Sequence, residues 1–238
     1  MEAKIFNNRL LIFNSNVSDG NMSYKYSEND EIVEKNKKNL YKQLKINEDY
    51  IYNLRVTNSD KISIIHSRPN DKEIVADSII SSLEDFYITL CFADCIPLII
   101  LDTNNDLFSF SHLGWQSICA DLHKKIIVKM IQEMNSNPSD LILYIGPSIK
   151  AASYAFTNPV QLSMPFWDPY LLYNEGMYHI DLIKYVVDNI LNLGILQKNI
   201  IISPVDTGNN DEYFSHYRSM HDKLYQEGRF ILGVGKFT

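Results

Sequence analysis

Cysteine is scarce in this chain, with only three among 238 residues. Because three is an odd number, the thiols do not suggest the paired disulfide framework of a small secreted domain. Free thiols persist in a reducing compartment, so the sequence predicts a cytoplasmic protein. The segment 1–9 also lacks the basic-then-apolar layout of a secretory signal, which agrees with that expectation.

Long apolar runs and an excess of positive charge are also missing. No apolar run reaches the roughly 18 residues of a membrane-spanning helix, and Asp94 interrupts the longest candidate. The formal net charge is −7, whereas nucleic-acid phosphates are bound by basic surfaces. We therefore expect neither a membrane nor a nucleic-acid partner, and the sequence leaves the question of a protein partner open.

What the chain does have is the composition of one globular domain. Hydrophobic residues make up 45% of the sequence, and 238 residues suffice for a sizeable core. There is no internal repeat and no linker long enough to separate two domains, so we predict a single domain over 1–238. Strand and helix patterns are mixed without strict alternation, which favours an α+β architecture. Strands are predicted at 61–66, 107–112, 141–145, 199–203 and 229–234.

Helix signals appear at three places. Segment 27–30 resembles a capping box with Ser27 as the cap. The apolar face of the helix that follows comprises Ile32, Val33, Leu40, Tyr41 and Leu44.

The stretch 116–134 predicts one continuous helix, with apolar residues four apart. The third helix is predicted to begin at the cap Asp181 and to continue through Leu193, before Gly194.

Trp167 and His123 are both predicted to lie at least partly at the surface. Pro159 and Pro169 bound a segment that predicts an irregular loop, in which Trp167 is exposed or half-buried. His123 lies in the predicted helix 116–134 and is expected to face solvent.

Cys95 and His112 are the most informative pair of residues. Cys95 lies in an apolar run that Asp94 and Pro97 interrupt, and His112 ends a second apolar run just before Gly114. A proline in such a run usually marks a strand edge, a bulge or a strand end. Two consecutive strands can therefore deliver a thiol and an imidazole to one place. That arrangement suits either a Cys–His nucleophile or a soft-metal site.

His66 is the candidate for a third group at the same place. The alternation of side chains puts His66 on one face of strand 61–66 and His112 on one face of strand 107–112. If these faces converge with Cys95, one thiolate and two imidazoles could bind zinc. The alternative for His66 is an ordinary histidine at a strand end.

Several motifs together resemble the laccase-domain family. The segments Ala93–Pro97 and His112–Trp115 are similar to its two most specific signatures, an Ala-Asp-Cys and a His-x-Gly-Trp motif. Weaker matches follow in the family's order at Ala76–Ile80, Tyr144–Ile149, Ile180–Leu182, Tyr213–Arg218 and Gly228–Phe230. The resemblance implies packed mixed β-sheets flanked by helices, in layers of the order α/β/β/α.

The chain departs from the family's pattern at positions that bear on chemistry. The resemblance implies a metal site of one cysteine and two histidines, but Thr57 stands where the first histidine is expected. A threonine hydroxyl is a poor zinc ligand beside thiolate and imidazole, and His66 is therefore the proposed substitute. An arginine is missing after Trp115, and Ser153 and Asp206 replace two cysteines.

The resemblance implies phosphorolysis of purine nucleosides, adenosine or inosine, with adenosine deamination as a second activity. Cys95 and His112 would be the catalytic pair, and zinc the cofactor. Zinc can lower the pKa of bound water toward ~7, which provides hydroxide for deamination. Copper is the other metal that the family suggests, but six scattered histidines do not easily build a four-copper set.

Phosphate is the second substrate that this activity requires. His216 and Arg218 form a polar cluster that is predicted to bind it, because a guanidinium offers a fixed fork of donors. A solvated loop is the alternative interpretation of the same cluster.

Two other hypotheses remain. Members of the family have also been described as peptidoglycan editing factors, so the protein could be a Cys–His amide hydrolase that acts on cell-wall precursors. It could instead be a catalytically impaired member that binds a nucleotide-like ligand or a protein partner. The replaced motif residues favour the second of these hypotheses.

Overall fold

Two six-stranded sheets and one three-stranded sheet organise the chain in this computed structural model. The structure describes residues 1–236. The strands are β1 (Glu2–Phe6), β2 (Leu10–Asn14), β3 (Ile51–Arg55), β4 (Ile62–Ile65), β5 (Glu73–Val75), β6 (Ser78–Ser81), β7 (Phe86–Phe92), β8 (Ile96–Asp102), β9 (Leu107–Leu113), β10 (Leu141–Ile145), β11 (Ala155–Phe156), β12 (Leu171–Asn174), β13 (Met177–Ile180), β14 (Ile200–Ile202) and β15 (Phe230–Lys236). The α-helices are α1 (Asp30–Leu44), α2 (Trp115–Cys119), α3 (Leu122–Met134), α4 (Leu182–Leu191) and α5 (His216–His221).

The strand orders show how the chain connects its sheets. The first sheet has the order β1-β2-β15-β7-β3-β5, the second β14-β10-β8-β9-β6-β4, and the small sheet β11-β13-β12. Both large sheets contain parallel and antiparallel pairs, so they are mixed sheets. All five strands expected from the sequence are present, as β4, β9, β10, β14 and β15.

Side-chain alternation along β8 explains why the sheets stack. Ile99 and Leu101 point into the apolar cluster shared with the first sheet, whereas Leu98 and Ile100 point to the cluster formed with α3 and α4. On the other side of the molecule, α1 packs on the outer face of the first sheet through Leu40. The layers therefore follow the order helix, sheet, sheet, helix, which confirms the predicted α+β architecture.

The first helix is capped by a different residue from the one predicted. Ser27 does not cap α1, because its hydroxyl is engaged in a turn with the backbone of Asn29. Asn29 is the cap, and its side chain accepts a hydrogen bond from the amide of Glu31 at 2.8 Å. Ile32 is 54% exposed, whereas Leu40 and Tyr41 are buried as expected.

The predicted helix 116–134 is in fact two helices. The chain breaks between α2 and α3 at Asp121, whose φ is +62°. The apolar residues four apart hide this break, because Ile118 of α2 and Leu122 of α3 are buried in the same cluster. His123 is fully buried and packs against the ring of Tyr185 at 5.7 Å, so its predicted exposure is wrong.

Two further expectations concern α4 and the segment before it. Asp181 does cap α4 and accepts from the amide of Lys184 at 2.8 Å, but the helix ends at Leu191, before the predicted end. Trp167, predicted to be exposed or half-buried, is fully buried: it lies in a 3-10 helix over Pro165–Tyr170 and stacks on the ring of Tyr185 at 4.2 Å. None of the helices in residues 1–236 is long and apolar enough to cross a membrane.

Candidate functional site

A cavity of about 570 Å³ lies where β7 ends and β8 begins. Cys95 and His112 both line it. The register of the sheet explains why, since Pro97 of β8 pairs with His112 and Ile96 pairs with Leu113. Cys95 comes directly before Ile96 and is therefore level with Gly114.

Gly114 marks the point at which the two side chains meet. A Cβ atom on Gly114 would lie 3.4 Å from Cys95 Sγ and 3.4 Å from His112 Cε1. The absence of a side chain at this position leaves the space between thiol and imidazole open. We call this space, bordered by Cys95, His112 and Gly114, the cradle.

Asn58 is a third polar residue at the cradle, and it was not predicted from the sequence. Its Oδ1 would lie 3.9 Å from the same Gly114 Cβ position. Its φ of +55° places it in the left-handed region, which asparagine tolerates better than most residues. The left-handed turn directs the amide toward the cavity, which Asn58 lines.

The buried carboxylate of Asp77 fixes the loop around Asn58. It accepts hydrogen bonds from the Thr57 amide at 3.0 Å, the Thr57 hydroxyl at 2.7 Å and the Ser59 hydroxyl at 2.8 Å. Asp77 itself is fully buried. The residues on both sides of Asn58 are thus held by one group, and the Thr57 hydroxyl is already engaged.

Burial sets the protonation of the central pair. It raises the pKa of the Cys95 thiol to about 12, with the nearby Asp94 carboxylate adding to the effect. It lowers the pKa of His112 to about 4, against the opposing influence of Asp77. Near pH 7 the protein therefore carries a thiol and a neutral imidazole here, which disfavours a thiolate–imidazolium nucleophile. The Nδ1 of His112 has no hydrogen-bond partner among the described residues.

Asp94 fixes one wall of the cavity. Its carboxylate accepts from the Thr207 hydroxyl at 2.7 Å, the Ser215 hydroxyl at 3.0 Å and the Tyr217 amide at 2.7 Å. It thereby ties the residue next to Cys95 to the start of α5. A carboxylate inside an apolar run is the sequence signal that could have indicated this role, because a buried charge requires partners.

Aromatic rings form another wall. Phe156 makes edge-to-face contacts with Tyr154 at 4.9 Å and with Tyr217 at 5.4 Å between ring centroids. The Tyr217 hydroxyl donates to the carbonyl of Ala155 at 2.7 Å, which fixes its ring. These three rings line the cavity and offer flat apolar surface.

The predicted phosphate cluster is only partly at the cavity. His216 lines it, and its Nδ1 lies 2.8 Å from Glu227. Arg218 is not among the lining residues, because its guanidinium pairs with Asp211 at 2.6 Å and stacks on Tyr225 at 4.3 Å. Of the two residues predicted to bind phosphate, the structure therefore brings His216 and not Arg218 to the cavity.

Arg229 is the arginine that lines the cavity. It lies over the ring of Tyr26 at 3.7 Å and pairs with Glu227 at 3.2 Å. Glu227 thus holds Arg229 and His216 together. The Gly228–Phe230 match was the available signal, but the spacing of the residues did not indicate which arginine the fold brings to the cavity.

His66 does not reach the cradle. In the parallel pair of β4 and β6, Ile65 is opposite Ser81, and Ser81 is opposite Phe108 of β9. His66 follows Ile65, so it lies level with Leu107, five residues or roughly 17 Å along the strand from His112. The expected third ligand is therefore not supplied by this strand.

The remaining donors do not fit zinc. Residues 1–236 contain no group of three His, Cys, Asp or Glu side chains that could hold a metal ion. Zinc sites in proteins normally have at least three protein ligands, and the cradle offers the thiol of Cys95 and the imidazole of His112. The Thr57 hydroxyl is bound to Asp77, and the Asn58 amide is a poor partner for a soft site. A four-copper set would need more ligands than one zinc ion, so these residues fit it less well still.

The two positions where cysteines were expected, Ser153 and Asp206, are neighbours in space. The Ser153 hydroxyl donates to the Asp206 carboxylate at 2.7 Å. The same carboxylate accepts from the amide of Lys150 at 3.0 Å. The replaced pair therefore joins two loops by a hydrogen bond, and neither residue lines the cavity.

Comparison with curated proteins finds relatives that carry the name purine nucleoside phosphorylase. A purine nucleoside phosphorylase of Clostridium acetobutylicum is 36% identical over 104 residues, 43% of this chain and 43% of that protein. Purine nucleoside phosphorylase YlmD of Bacillus subtilis is 27% identical over 165 residues, 67% of this chain and 58% of that protein. The chain thus spans about half the length of the curated relatives it matches.

Solved structures share the fold. The YfiH protein of Bacillus licheniformis superposes with a TM-score of 0.78 at 20% identity, covering 95% of this chain and 92% of its own. YlmD of Geobacillus stearothermophilus gives a TM-score of 0.78 at 21% identity, covering 92% of this chain and 85% of its own. The sequence pattern of the family described as multi-copper polyphenol oxidoreductase laccase matches residues 7–235. The chain therefore belongs to that laccase-like family.

Proposed function

We propose that this protein is a purine nucleoside phosphorylase whose reaction takes place in the Cys95–His112 cavity. Its relatives in Clostridium acetobutylicum and Bacillus subtilis carry that name. The observation that carries the proposal here is the division of one cavity into a cradle of thiol, imidazole and amide and a separate cationic part around Arg229. We also propose a cytoplasmic location, since the three cysteines are free thiols.

The base of the nucleoside would bind near the cradle. Phe156 and Tyr217 supply flat surfaces for a purine ring, which prefers stacked or edge-to-face contact with aromatic groups. Cys95 and His112 supply polar groups that are uncharged near pH 7. A neutral heterocycle suits such a lining better than an ion does.

The phosphate would bind on the side of Arg229 and His216. A guanidinium offers paired donors that match phosphate oxygens. Glu227 holds both side chains, and its own charge is shared between them. This geometry leaves Arg229 as the main cation that faces the cavity.

The reaction then needs one bond to form and one to break. A phosphate oxygen attacks C1′ of the ribose, and the bond from C1′ to N9 breaks with its electron pair going to the purine. The purine takes up a proton, for which the Cys95 thiol and an N–H of His112 are the available donors. The donor recovers a proton from dihydrogen phosphate, and the products are free base and ribose 1-phosphate. A donor placed at a reacting atom typically contributes about 10²–10⁴-fold.

The proposal is tested by incubating the purified protein with adenosine or inosine, with and without phosphate, and separating the products by chromatography. We expect free base and ribose 1-phosphate only in the presence of phosphate. Conversion of adenosine to inosine would instead indicate deamination. Unchanged nucleosides would overturn the proposal, and activity on a peptidoglycan fragment would then favour the amide hydrolase.

A matched pair of variants locates the activity. Cys95→Ala should lose at least 10²-fold in turnover, because it removes a proton donor from the cradle. Cys119→Ala removes a thiol outside the cavity, next to Trp167, and should keep turnover near that of the wild type. Equal activity in both variants would exclude Cys95 from the reaction.

A further inference from the structure

We propose that Asn58 selects 6-aminopurines over 6-oxopurines by pairing with the N6 and N7 edge of the base. This inference rests on the proposed function, because it assumes that the cavity binds a purine. The Asn58 Oδ1, the Cys95 Sγ and the His112 Cε1 border one space, at 3.9 Å, 3.4 Å and 3.4 Å from the position of a Gly114 Cβ.

The backbone around Asn58 is held in place, and the hydrogen-bonding groups of its side chain remain available. Asp77 fixes Thr57 and Ser59 on either side of it through three hydrogen bonds. Within residues 1–236, the Asn58 side chain itself makes no hydrogen bond. Because the backbone on both sides of Asn58 is already fixed, only the side chain itself has to be ordered when a ligand binds.

The chemistry of an amide decides which base it prefers. Its NH₂ group donates and its oxygen accepts, in one plane. Adenine presents N7 as an acceptor beside the N6 amino donor, so both bonds can form at once. Hypoxanthine presents acceptors at both N7 and O6, so the amide oxygen would face another oxygen. A matched bidentate pair discriminates by about 1–3 kcal/mol, which corresponds to about 5- to 150-fold.

The left-handed conformation of Asn58 suggests a clean variant. Asn58→Gly removes the amide and keeps a φ of +55° without strain. Asn135 is the matched control, because it is an exposed asparagine with the same φ of +55° at the end of α3 and does not line the cavity. Asn135→Gly therefore makes the same substitution at the same backbone conformation and leaves the cradle unchanged.

The experiment compares kcat/KM for adenosine and for inosine in the wild type and in both variants. We expect the wild type to prefer adenosine by about ten-fold or more, Asn58→Gly to bring the ratio close to one, and Asn135→Gly to keep the wild-type ratio. Thermal unfolding of Asn58→Gly confirms that it is folded. A wild-type ratio near one, or a ratio that Asn58→Gly leaves unchanged, would overturn the inference.

A binding measurement separates this inference from the proposed function. Isothermal titration with adenine and with hypoxanthine reports recognition without requiring phosphorolysis. Preferential adenine binding that is lost in Asn58→Gly supports the inference even if no nucleoside is cleaved. Phosphorolysis with equal binding of the two bases leaves the proposed function standing and rejects the role of Asn58.

Discussion

At the scale of single residues, the site depends on two buried carboxylates that take no part in the proposed chemistry. Asp77 fixes the loop that carries Asn58, and Asp94 ties Cys95 to the start of α5. Each accepts three hydrogen bonds from neighbouring segments. Charge-assisted bonds of this kind are stronger than those between neutral groups, so both carboxylates are structural requirements of the cavity.

Removal of Asp94 should therefore reduce stability as well as activity. Its φ is +81°, so Asp94→Gly removes the carboxylate without backbone strain. Two hydroxyls and one amide lose their acceptor, and we expect the free energy of unfolding to fall by about 3 kcal/mol or more. Urea denaturation measures this loss. As a control, Asp211→Ala affects a carboxylate that is 94% exposed and should change stability by less than about 0.5 kcal/mol.

The metal content of the purified protein follows from the same residues. Cys95 and His112 alone form a weak, water-rich site, so elemental analysis should find well below one zinc ion per chain. Thr57→His would place an imidazole on the loop that carries Asn58 and should raise the zinc content. One zinc per chain in the wild type would show that the third ligand had been missed.

The sequence identified two of the residues at the cradle and missed the third. Cys95 and His112 stood out because an acid and a proline interrupt one apolar run and a glycine follows the other. Asn58 could not be recognised, since its role depends on a left-handed turn and on a carboxylate 19 positions away in the chain (77 − 58). Arg229 was missed in favour of Arg218 because ion-pair partners are set by tertiary packing.

At the scale of elements, periodicity predicted the strands better than the helix ends. Strands β9 and β10 follow from short apolar runs that side-chain alternation resolves. The break between α2 and α3 was not foreseen, because the apolar spacing continues across it. Caps and breaks depend on single residues such as Asn29 and Asp121, whose left-handed or extended backbone leaves the apolar pattern unchanged.

Asp121 offers a test of that break. A β-branched side chain is disfavoured at its φ of +62°, so Asp121→Val should lower the free energy of unfolding by about 1–2 kcal/mol. Asp121→Gly should stay within about 0.5 kcal/mol of the wild type. Asp121 pairs with Lys124 at 2.6 Å, and Glu133 pairs with Lys129 at 2.6 Å inside α3, so Glu133→Val is the control for the loss of an ion pair. Equal losses in Asp121→Val and Glu133→Val would show that the break carries no strain.

At the scale of the whole molecule, the order of the layers was implied by the family resemblance, and the burial of the central strands explains it. The central strands are apolar on both faces, which requires a covering layer on each side. Two histidines lie buried within these layers. His112 is at the cavity between strands, and His123 lies between α3 and α4.

These histidines should make the stability of the molecule dependent on pH. Burial lowers the pKa of His112 and of His123 from 6.5 to about 4. Between those values the unfolded chain binds protons that the folded chain does not, so stability is full above about pH 6.5 and falls as the pH drops toward 4. Each histidine contributes up to about 3 kcal/mol to this change.

His123→Leu isolates one of the two contributions. It should reduce the loss of stability between pH 6.5 and pH 4 by about half, because His112 still titrates. Thermal or urea unfolding of both proteins across this range measures the difference. The same loss in His123→Leu and wild type would show that His123 is not held neutral in the folded protein.

Gly114→Ala tests most directly whether the cradle is where the purine nucleoside reacts. The added methyl group would occupy the space between Cys95 and His112, 3.4 Å from each, and the φ of −82° at Gly114 accommodates alanine without strain. We expect kcat/KM for phosphorolysis to fall by about 10² or more, because misplaced reacting groups lose that much, while the melting temperature changes by only a few degrees. A folded Gly114→Ala protein with kcat/KM within two-fold of the wild type would contradict the assignment of the reaction to this cavity.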